Sequence, residues 1–405
     1  MTINENIFDV LQKRDYIAQT IDEENLRKTL GEKKVKFYLG IDPTADSLHI
    51  GHFVALMVAS YMQKAGHTPI ILVGGGTAVI GDPSGKTDMR RMMTREEIDH
   101  NVECIKKQLS RFLSFEGENA AIIVNNADWY NDMKLLNFMR EIGSQFSVNK
   151  MLAAECYKTR LDTGLTFFEM SYMLMQSYDF YHLYKEYDCK LEIGGNDQWS
   201  NIIGGANLIR KFGHDDAFAL TNKLLLTKEG KKMGKTEKGA LWLSAEKTSP
   251  YEFYQYWRNI DDSEVENVLK MLTFLSLDEI KELTKVKGEE INKAKKIAAF
   301  EITKLIHGEE EAKKAEEAAE SLFAGKGNSE NIPETKVAPD SSILDAIISA
   351  GFASSKSQAK TLVAQGGVSL NDEKITDIGY RISADILKGE PILKKGKKGF
   401  TKLVG

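Results

Sequence analysis

The chain has 405 residues, of which 42% are hydrophobic and 28% charged, with only 7 Pro and no period in its 32 Gly. This balance excludes disorder and collagen-like repeats, and the length predicts two or three globular domains. The net charge of −5 hides an asymmetry: residues 356–405 hold ten Lys and Arg against five Asp and Glu, so a module of +5 follows a body of −10. A basic module on an acidic body is expected to meet a polyanion, although a short lysine run such as KKGKK is by itself more often a solvated terminus.

No run approaches the roughly 18 apolar residues of a membrane helix. The start MTINENIFDVLQKRD carries Glu5 and Asp9 and no apolar stretch, so it does not read as a signal peptide. Cys104, Cys156 and Cys189 are far apart, without CxxC or histidine at ligand spacing. That argues against a disulfide framework or structural zinc and for a reducing cytoplasm.

In chain order, strands are expected at Val35–Ile41, Pro69–Gly74, Ala120–Asn125 and Lys190–Gly194, with a helix at Gly51–Ala65 after the first. A second helix is expected at Arg95–Leu113, where Ile98, Val102, Ile105, Leu109 and Phe112 share one face and Thr94 with Glu97 forms a capping box. Strand and helix in alternation predict an α/β, Rossmann-like domain over 1–247 with a parallel sheet, which binds ligands at the carboxyl ends of its strands. From 248 to 324 the strand signals fade into successive helices at Ser249–Trp257, Ser263–Leu275, Leu277–Thr284, Gly288–His307 and Glu309–Phe323. Residues 325–340 (GKGNSENIPETKVAPD) hold turn formers without an apolar period and read as a linker. Residues 341–405 then read as a small α+β unit with helices at Ser342–Gly351 and Ser355–Gln365 and strands at Gly367–Leu370 and Glu390–Leu393.

Two stretches imitate a phosphate loop, Gly81–Thr87 (GDPSGKT) and Gly230–Thr236 (GKKMGKT), but each has three residues between its glycines where the loop needs four. Their lysines remain available for phosphate on another scaffold. The most informative string is YLGIDPTADSLHIGH, residues 38–52. It leaves a strand, turns at Asp42-Pro43-Thr44 and enters a helix at His49-Ile50-Gly51-His52. Imidazole donors at a helix N-terminus suit an oligophosphate, and Gly51 is expected to let a purine or ribose approach the backbone. A metal pair or two ordinary polar histidines explain neither the glycine nor the strand-to-helix position. On the expected helix Phe168–Phe180, Tyr172, Gln176 and Asp179 are spaced by four and three and share a face. Three polar groups on one face of a helix rich in Met and Phe need partners.

HIGH at 49–52 with Lys232-Met-Gly-Lys-Thr236, about 180 residues later, resembles the paired HIGH and KMSKS signatures of class I aminoacyl-tRNA synthetases. GGNDQWSN (194–201), DPSGKTDMR (82–90) and FEMSYMLMQSYDF (168–180) narrow the resemblance to bacterial tyrosyl-tRNA synthetases over essentially the whole chain. The resemblance implies activation of L-tyrosine by ATP, with Mg²⁺ carried by the nucleotide and no protein-bound metal, followed by transfer to tRNA(Tyr). It implies that Thr44 and His49 hold the γ-phosphate and that His52 faces the nucleotide. Lys86, Arg90, Lys232, Lys235 and Thr236 would close over the leaving pyrophosphate. Gly40, Asp42, Gly195 and Asp197 would line the ATP side, together with His49, His52 and Lys235. For the amino acid it implies that Tyr38 and Asp179 bind the phenol and Asp82, Tyr172 and Gln176 the α-ammonium, with Asn126 and Gln198 completing the pocket.

The attacking carboxylate is already ionised, so positioning and cations around the pyrophosphate must supply the catalysis. This family is itself the standard example of a site that rejects phenylalanine by roughly 10⁵ through bonding the hydroxyl, so no editing domain is expected. Gly234 stands where serine is usual, Thr236 where serine is common, and Leu39 and Ala55 where some relatives carry ribose contacts. Loop closure should survive the first two; nucleotide affinity is what the others bear on. The resemblance also implies a homodimer with the helical segment 130–170 as its surface, and tRNA contacts from the regions 248–323 and 341–405. In the latter, serines and lysines of 354–360 are offered to phosphate.

Two other readings fit the residues less well. A nucleotidyltransferase acting on a small metabolite would need neither the basic tail nor the Tyr172, Gln176 and Asp179 face. A non-catalytic RNA-binding relative predicts eroded motifs, whereas HIGH, Lys232 and Lys235 are intact. Tryptophanyl enzymes share the fold but usually lack such a tail.

Overall fold

A computed structural model describes residues 3–84, 93–162, 164–236, 239–286, 288–323, 334–353, 355–371, 373–396 and 399–405. It divides into two compact units, 1–235 with 240–244 and 261–294, and 236–239 with 245–260 and 295–405.

The first unit opens with α1 (Ile7–Lys13), β1 (Ile17–Thr20), α2 (Glu23–Glu32), β2 (Lys36–Ile41), α3 (Ile50–Lys64), β3 (Thr68–Val73), α4 (Arg95–Leu109) and β4 (Ile122–Asn125). The helical segment follows as α5 (Ala127–Tyr130), α6 (Leu135–Glu141), α7 (Val148–Leu152), α8 (Glu155–Leu161) and the long α9 (Phe167–Tyr187), and then β5 (Cys189–Gly195), α10 (Trp199–Lys211) and β6 (Phe218–Asn222). Short strands β7 (Lys235–Thr236) and β8 (Gly239–Ala240) form a ribbon.

The sheet order is β1-β6-β5-β2-β3-β4. Five strands run parallel, but β1 is antiparallel to β6, so the expected parallel sheet is a mixed one with an antiparallel edge. The antiparallel strand is the N-terminal one, which pairs at the sheet edge with β6, a strand about 200 residues away. Strand β2 lies between β5 and β3, where the chain order reverses; crevices at such a point accept ligands. Helix α3 is apolar almost throughout and is buried from Phe53 to Gln63, as a helix packed on a sheet must be. Helix α9 starts at a capping box, with the Glu169 N–H donating to Thr166 and the Thr166 N–H to Glu169. The same carboxylate holds the buried Arg160 at 2.8 Å, fixing α8 against the start of α9. Along α6–α9, Leu135, Leu136, Val148 and Phe167 are exposed, the first two by 72% and 80%. Apolar side chains this exposed in one segment mark an interaction surface.

The remaining helices are α11 (Pro250–Arg258), α12 (Val265–Leu272), α13 (Leu277–Thr284), α14 (Ile291–His307) and α15 (Glu309–Phe323). The C-terminal module comprises β9 (Glu334–Lys336), β10 (Ser341–Ser342), α16 (Ile343–Ser349), α17 (Lys356–Ala364), β11 (Val368–Leu370), β12 (Glu373–Lys374), β13 (Arg381–Ile382), α18 (Ala384–Lys388), β14 (Ile392–Lys395) and β15 (Gly399–Val404). Its sheet has the order β12-β11-β14-β15-β9. The stretch read as a linker therefore ends earlier: Glu334–Lys336 pairs parallel with β15, and Val337 enters the module's core. That core is built wholly from residues between Val337 and Leu403.

Candidate active site

The carboxyl ends of β2, β3, β4 and β5 deliver the residues the sequence singled out. Strand β2 buries Tyr38 and runs directly into Asp42, and Tyr38 brings its hydroxyl so close to Gly40 that a Cβ there would lie 2.8 Å from it. Asp42 accepts from Thr77 at 2.8 Å with Oδ1 and from Tyr172 at 2.8 Å with Oδ2. Asn126, after β4, donates to Thr77 at 3.0 Å and to Asp179 Oδ2 at 3.0 Å, while its own oxygen accepts from the Gly76 N–H. The other Asp179 oxygen accepts from the Trp129 indole at 2.9 Å. One continuous network thus joins Asp179 and Tyr172 on α9 to the turn that leads into HIGH.

Asp179 is 1% exposed. Burial pushes its carboxyl up to about 7, against the hydrogen bonds of Asn126, Tyr130 and Trp129 that favour the charged form, with the Asp42 charge raising it further. Burial likewise raises the Tyr38 phenol, helped by the charges of Glu192, Asp179 and Asp42, so Tyr38 stays a neutral donor. Asp82 accepts from the Ser84 N–H at 2.9 Å and from Gln198 at 2.6 Å. Gln176 donates to Glu192 at 3.0 Å. Tyr38, Asp42, Asn126, Tyr172, Gln176 and Asp179 thus gather above the sheet, with Asp82 and Gln198 tied to each other.

At the start of α3, His49 Nδ1 accepts from the Gly51 N–H at 2.9 Å and His52 Nδ1 accepts from the His49 N–H at 3.2 Å. A neutral imidazole accepting through Nδ1 carries its hydrogen on Nε2, so the tautomer of both rings follows from these two bonds. Their centroids are 4.1 Å apart, and Trp242 meets His49 edge-on at 5.8 Å. Gly51 also leaves room for the His49 ring: a Cβ there would lie 2.6 Å from His49 Cε1. Thr44 is exposed, its N–H donating to the Asp42 carbonyl. The second signature reaches the first through Leu241, whose carbonyl accepts from the Ile50 N–H and whose N–H donates to Gly234. Gly234 has φ +81°, a conformation that a serine would enter only with strain. Lys232 pairs with Asp197 at 2.6 Å, both partly exposed, beside Gly195 at the end of β5. Such a pair contributes about 0–1 kcal/mol and opens readily. Lys86 and Arg90 lie outside the described residues, as do the side chains of Lys235 and Thr236. Among the described residues no group of three or more His, Cys, Asp and Glu side chains could hold a metal ion.

Residues 30–324 match the family described as tRNA synthetases class I (W and Y), and 326–403 match the tyrosine–tRNA ligase SYY-like C-terminal domain. Tyrosine–tRNA ligase 1 of Clostridium acetobutylicum is 55% identical over 98% of this chain and 99% of its own, and the tyrosine–tRNA ligase of Clostridium perfringens is equally similar over the same shares. The chain belongs to the tyrosine–tRNA ligase family. The crystal structure of a C-terminally truncated mitochondrial tyrosyl-tRNA synthetase from Aspergillus nidulans superposes with a TM-score of 0.69 at 27% identity, covering 79% of this chain and 94% of that one.

Three residues of this family member escaped the sequence reading. Thr77 joins Asp42 to Asn126, and Trp129 holds Asp179 from outside α9. Neither leaves a local signal, because each contact forms only when separate elements close. Glu192 did leave one: it is an acid between Leu191 and Ile193 in the middle of a parallel strand, which is expected to be buried on both faces. Leu39 and Ala55, the two departures on the nucleotide side, are both buried.

Proposed function

We propose that this chain is a tyrosine–tRNA ligase. The α-carboxylate of L-tyrosine attacks the α-phosphorus of ATP, the bond to the bridging oxygen breaks, and pyrophosphate leaves with the nucleotide's Mg²⁺. A terminal ribose hydroxyl of tRNA(Tyr) then attacks the tyrosyl carbonyl and AMP leaves. Asp179 accepts from the substrate phenol and Tyr38 donates to it, while Asp82, Tyr172 and Gln176 receive the ammonium, with Asn126 and Gln198 bracing the pocket. His49 and Thr44 hold the γ-phosphate, and His52, Gly40, Asp42, Gly195 and Asp197 line the nucleotide. Lys86, Arg90, Lys232, Lys235 and Thr236 stabilise the pyrophosphate as charge shifts onto it.

The observation that carries this reading is the buried Asp179 beside Tyr38, bonded through Asn126 and Thr77 to the turn before HIGH. It also favours tyrosine over tryptophan, because a phenol both donates to Asp179 and accepts from Tyr38 whereas an indole N–H only donates. Tyrosine-dependent exchange of pyrophosphate into ATP is expected, with tryptophan giving far less. Absent exchange with tyrosine, or equal exchange with tryptophan, rejects the assignment.

The exposed Leu135, Leu136, Val148 and Phe167 support a homodimer that covers this face. Three free cysteines and bacterial relatives support a cytoplasmic setting, and no helix among the described residues is long and apolar enough to cross a membrane. A pH dependence follows from Asp179. Its carboxyl is neutral below about 7 and ionised above it, and only the ionised form has every lone pair free to accept. Tyrosine should therefore bind roughly tenfold more tightly at pH 8 than at pH 6. Equilibrium titration across that range tests this, and affinity that is flat or weakens would contradict it.

A further inference from the structure

Two carboxyls and an amide, Glu192, Asp179 and Gln176, converge with the Tyr38 phenol at the foot of the pocket, and Glu192 has no role in the reaction as described. Glu192 rises from β5, 1% exposed, and faces Gln176 and Asp179 on α9 and Tyr38 on β2, with Cys189 behind it on its own strand. From α10 it meets Gly205, where a Cβ would stand 3.2 Å from Oε2. Oε2 has no hydrogen-bond partner, so the whole anchorage of this buried carboxyl runs through Oε1 and the Gln176 amide at 3.0 Å. An unpartnered buried oxygen is costly, and an apolar residue of similar volume would avoid that cost.

The bond it makes settles which end of Gln176 is presented to the pocket. A carboxylate only accepts, so it takes the amide N–H and turns the Gln176 carbonyl away from itself. We propose that Glu192 is a positioning residue for the amino-acid substrate, holding Gln176 so that its carbonyl oxygen accepts from the α-ammonium. This rests on the reading of the pocket as a tyrosine site with Gln176 at the ammonium. An amide left to rotate would present its NH₂ to a cation half the time. Burial and the Asp179 charge push the Glu192 carboxyl up to about 8, against the Gln176 bond. A neutral carboxyl can also donate, which would let the amide turn over; a bound ammonium favours the ionised form. The constraint on Gln176 therefore tightens as pH rises toward about 8.

The test compares L-tyrosine with 3-(4-hydroxyphenyl)propionate, which keeps the phenol and carboxylate and lacks the ammonium, as an inhibitor of exchange by the full-length protein. Glu192→Leu should raise the tyrosine KM about ten- to a hundredfold, the loss of one hydrogen bond to a charged group. It should leave kcat, the ATP KM and the inhibition constant of the deaminated analogue within about threefold. Glu192→Gln, which still accepts from Gln176, should restore the tyrosine KM at pH 7 to within about threefold of the wild type and lose the component of its pH profile between 7 and 9. A loss shared equally by tyrosine and the analogue would mean a general packing defect and overturn the proposal, as would an unchanged tyrosine KM in Glu192→Leu or a wild-type pH profile in Glu192→Gln. If the wild-type protein gave no tyrosine-dependent exchange, the functional reading would fall first and take this inference with it.

Discussion

Asp179→Ala should lower kcat/KM for tyrosine by about 10³ while changing the ATP KM by less than about threefold. The substitution removes the acceptor for the substrate phenol and leaves two buried donors, Asn126 Nδ2 and Trp129 Nε1, without the oxygen each now serves. The lost bond from the phenol to a charged group, about 1.5–3 kcal/mol, and the phenol left buried without that acceptor, about 1–3 kcal/mol, together amount to roughly 4 kcal/mol, or three orders of magnitude, whereas the two orphaned protein donors burden both substrates alike. Phenylalanine has no hydroxyl to lose, so its slow activation should change much less and the preference for tyrosine should collapse. Steady-state exchange with both amino acids measures this. Unchanged tyrosine kinetics, or a parallel loss for both substrates, would refute the assignment of Asp179 to the phenol.

Removal of residues 334–405 should leave pyrophosphate exchange within about twofold and reduce kcat/KM for tRNA charging by about a hundredfold or more, since the lost contacts are to phosphate. The cut is placed at 334 because β9 completes the module's sheet, and a cut at 341 would leave that strand unpaired. The module's core draws on nothing outside 337–403, so its removal exposes none of it. Three of its lysines form local ion pairs, Lys356 with Asp345, Lys388 with Asp385 and Lys402 with Glu334 and Glu390. Charging by the full chain should fall steeply with salt and charging by the truncated chain much less so. A parallel fall of exchange and charging would contradict the modular reading.

Much of this site could be read along the sequence because its parts are local. The β2 strand, the turn at Asp42 and the HIGH helix are consecutive, and Tyr172, Gln176 and Asp179 share a face through helical spacing alone. What stayed hidden depends on distant closure. Strand β6 (FALTN) is buried at all five positions and so shows no alternation, and β1 (IAQT) pairs with it in the opposite direction from the far end of the chain. Strand β9 is three residues long between turn formers, too short for a period, and exists because β15 offers it an edge. At the HIGH glycine the close approach of the His49 ring left no signal in the sequence, because it depends on the rotamer of a neighbouring side chain.

Tyrosine activation here requires one juxtaposition, an acceptor for an aromatic hydroxyl beside a cradle for a nucleotide. A crystal structure with a non-hydrolysable tyrosyl-adenylate analogue tests it most directly. The phenol oxygen should lie within about 3 Å of both Asp179 and Tyr38, with the ammonium at Tyr172 and Gln176 and the nucleotide against His52. A phenol seated away from Asp179, or a nucleotide bound elsewhere than the start of α3, would contradict it.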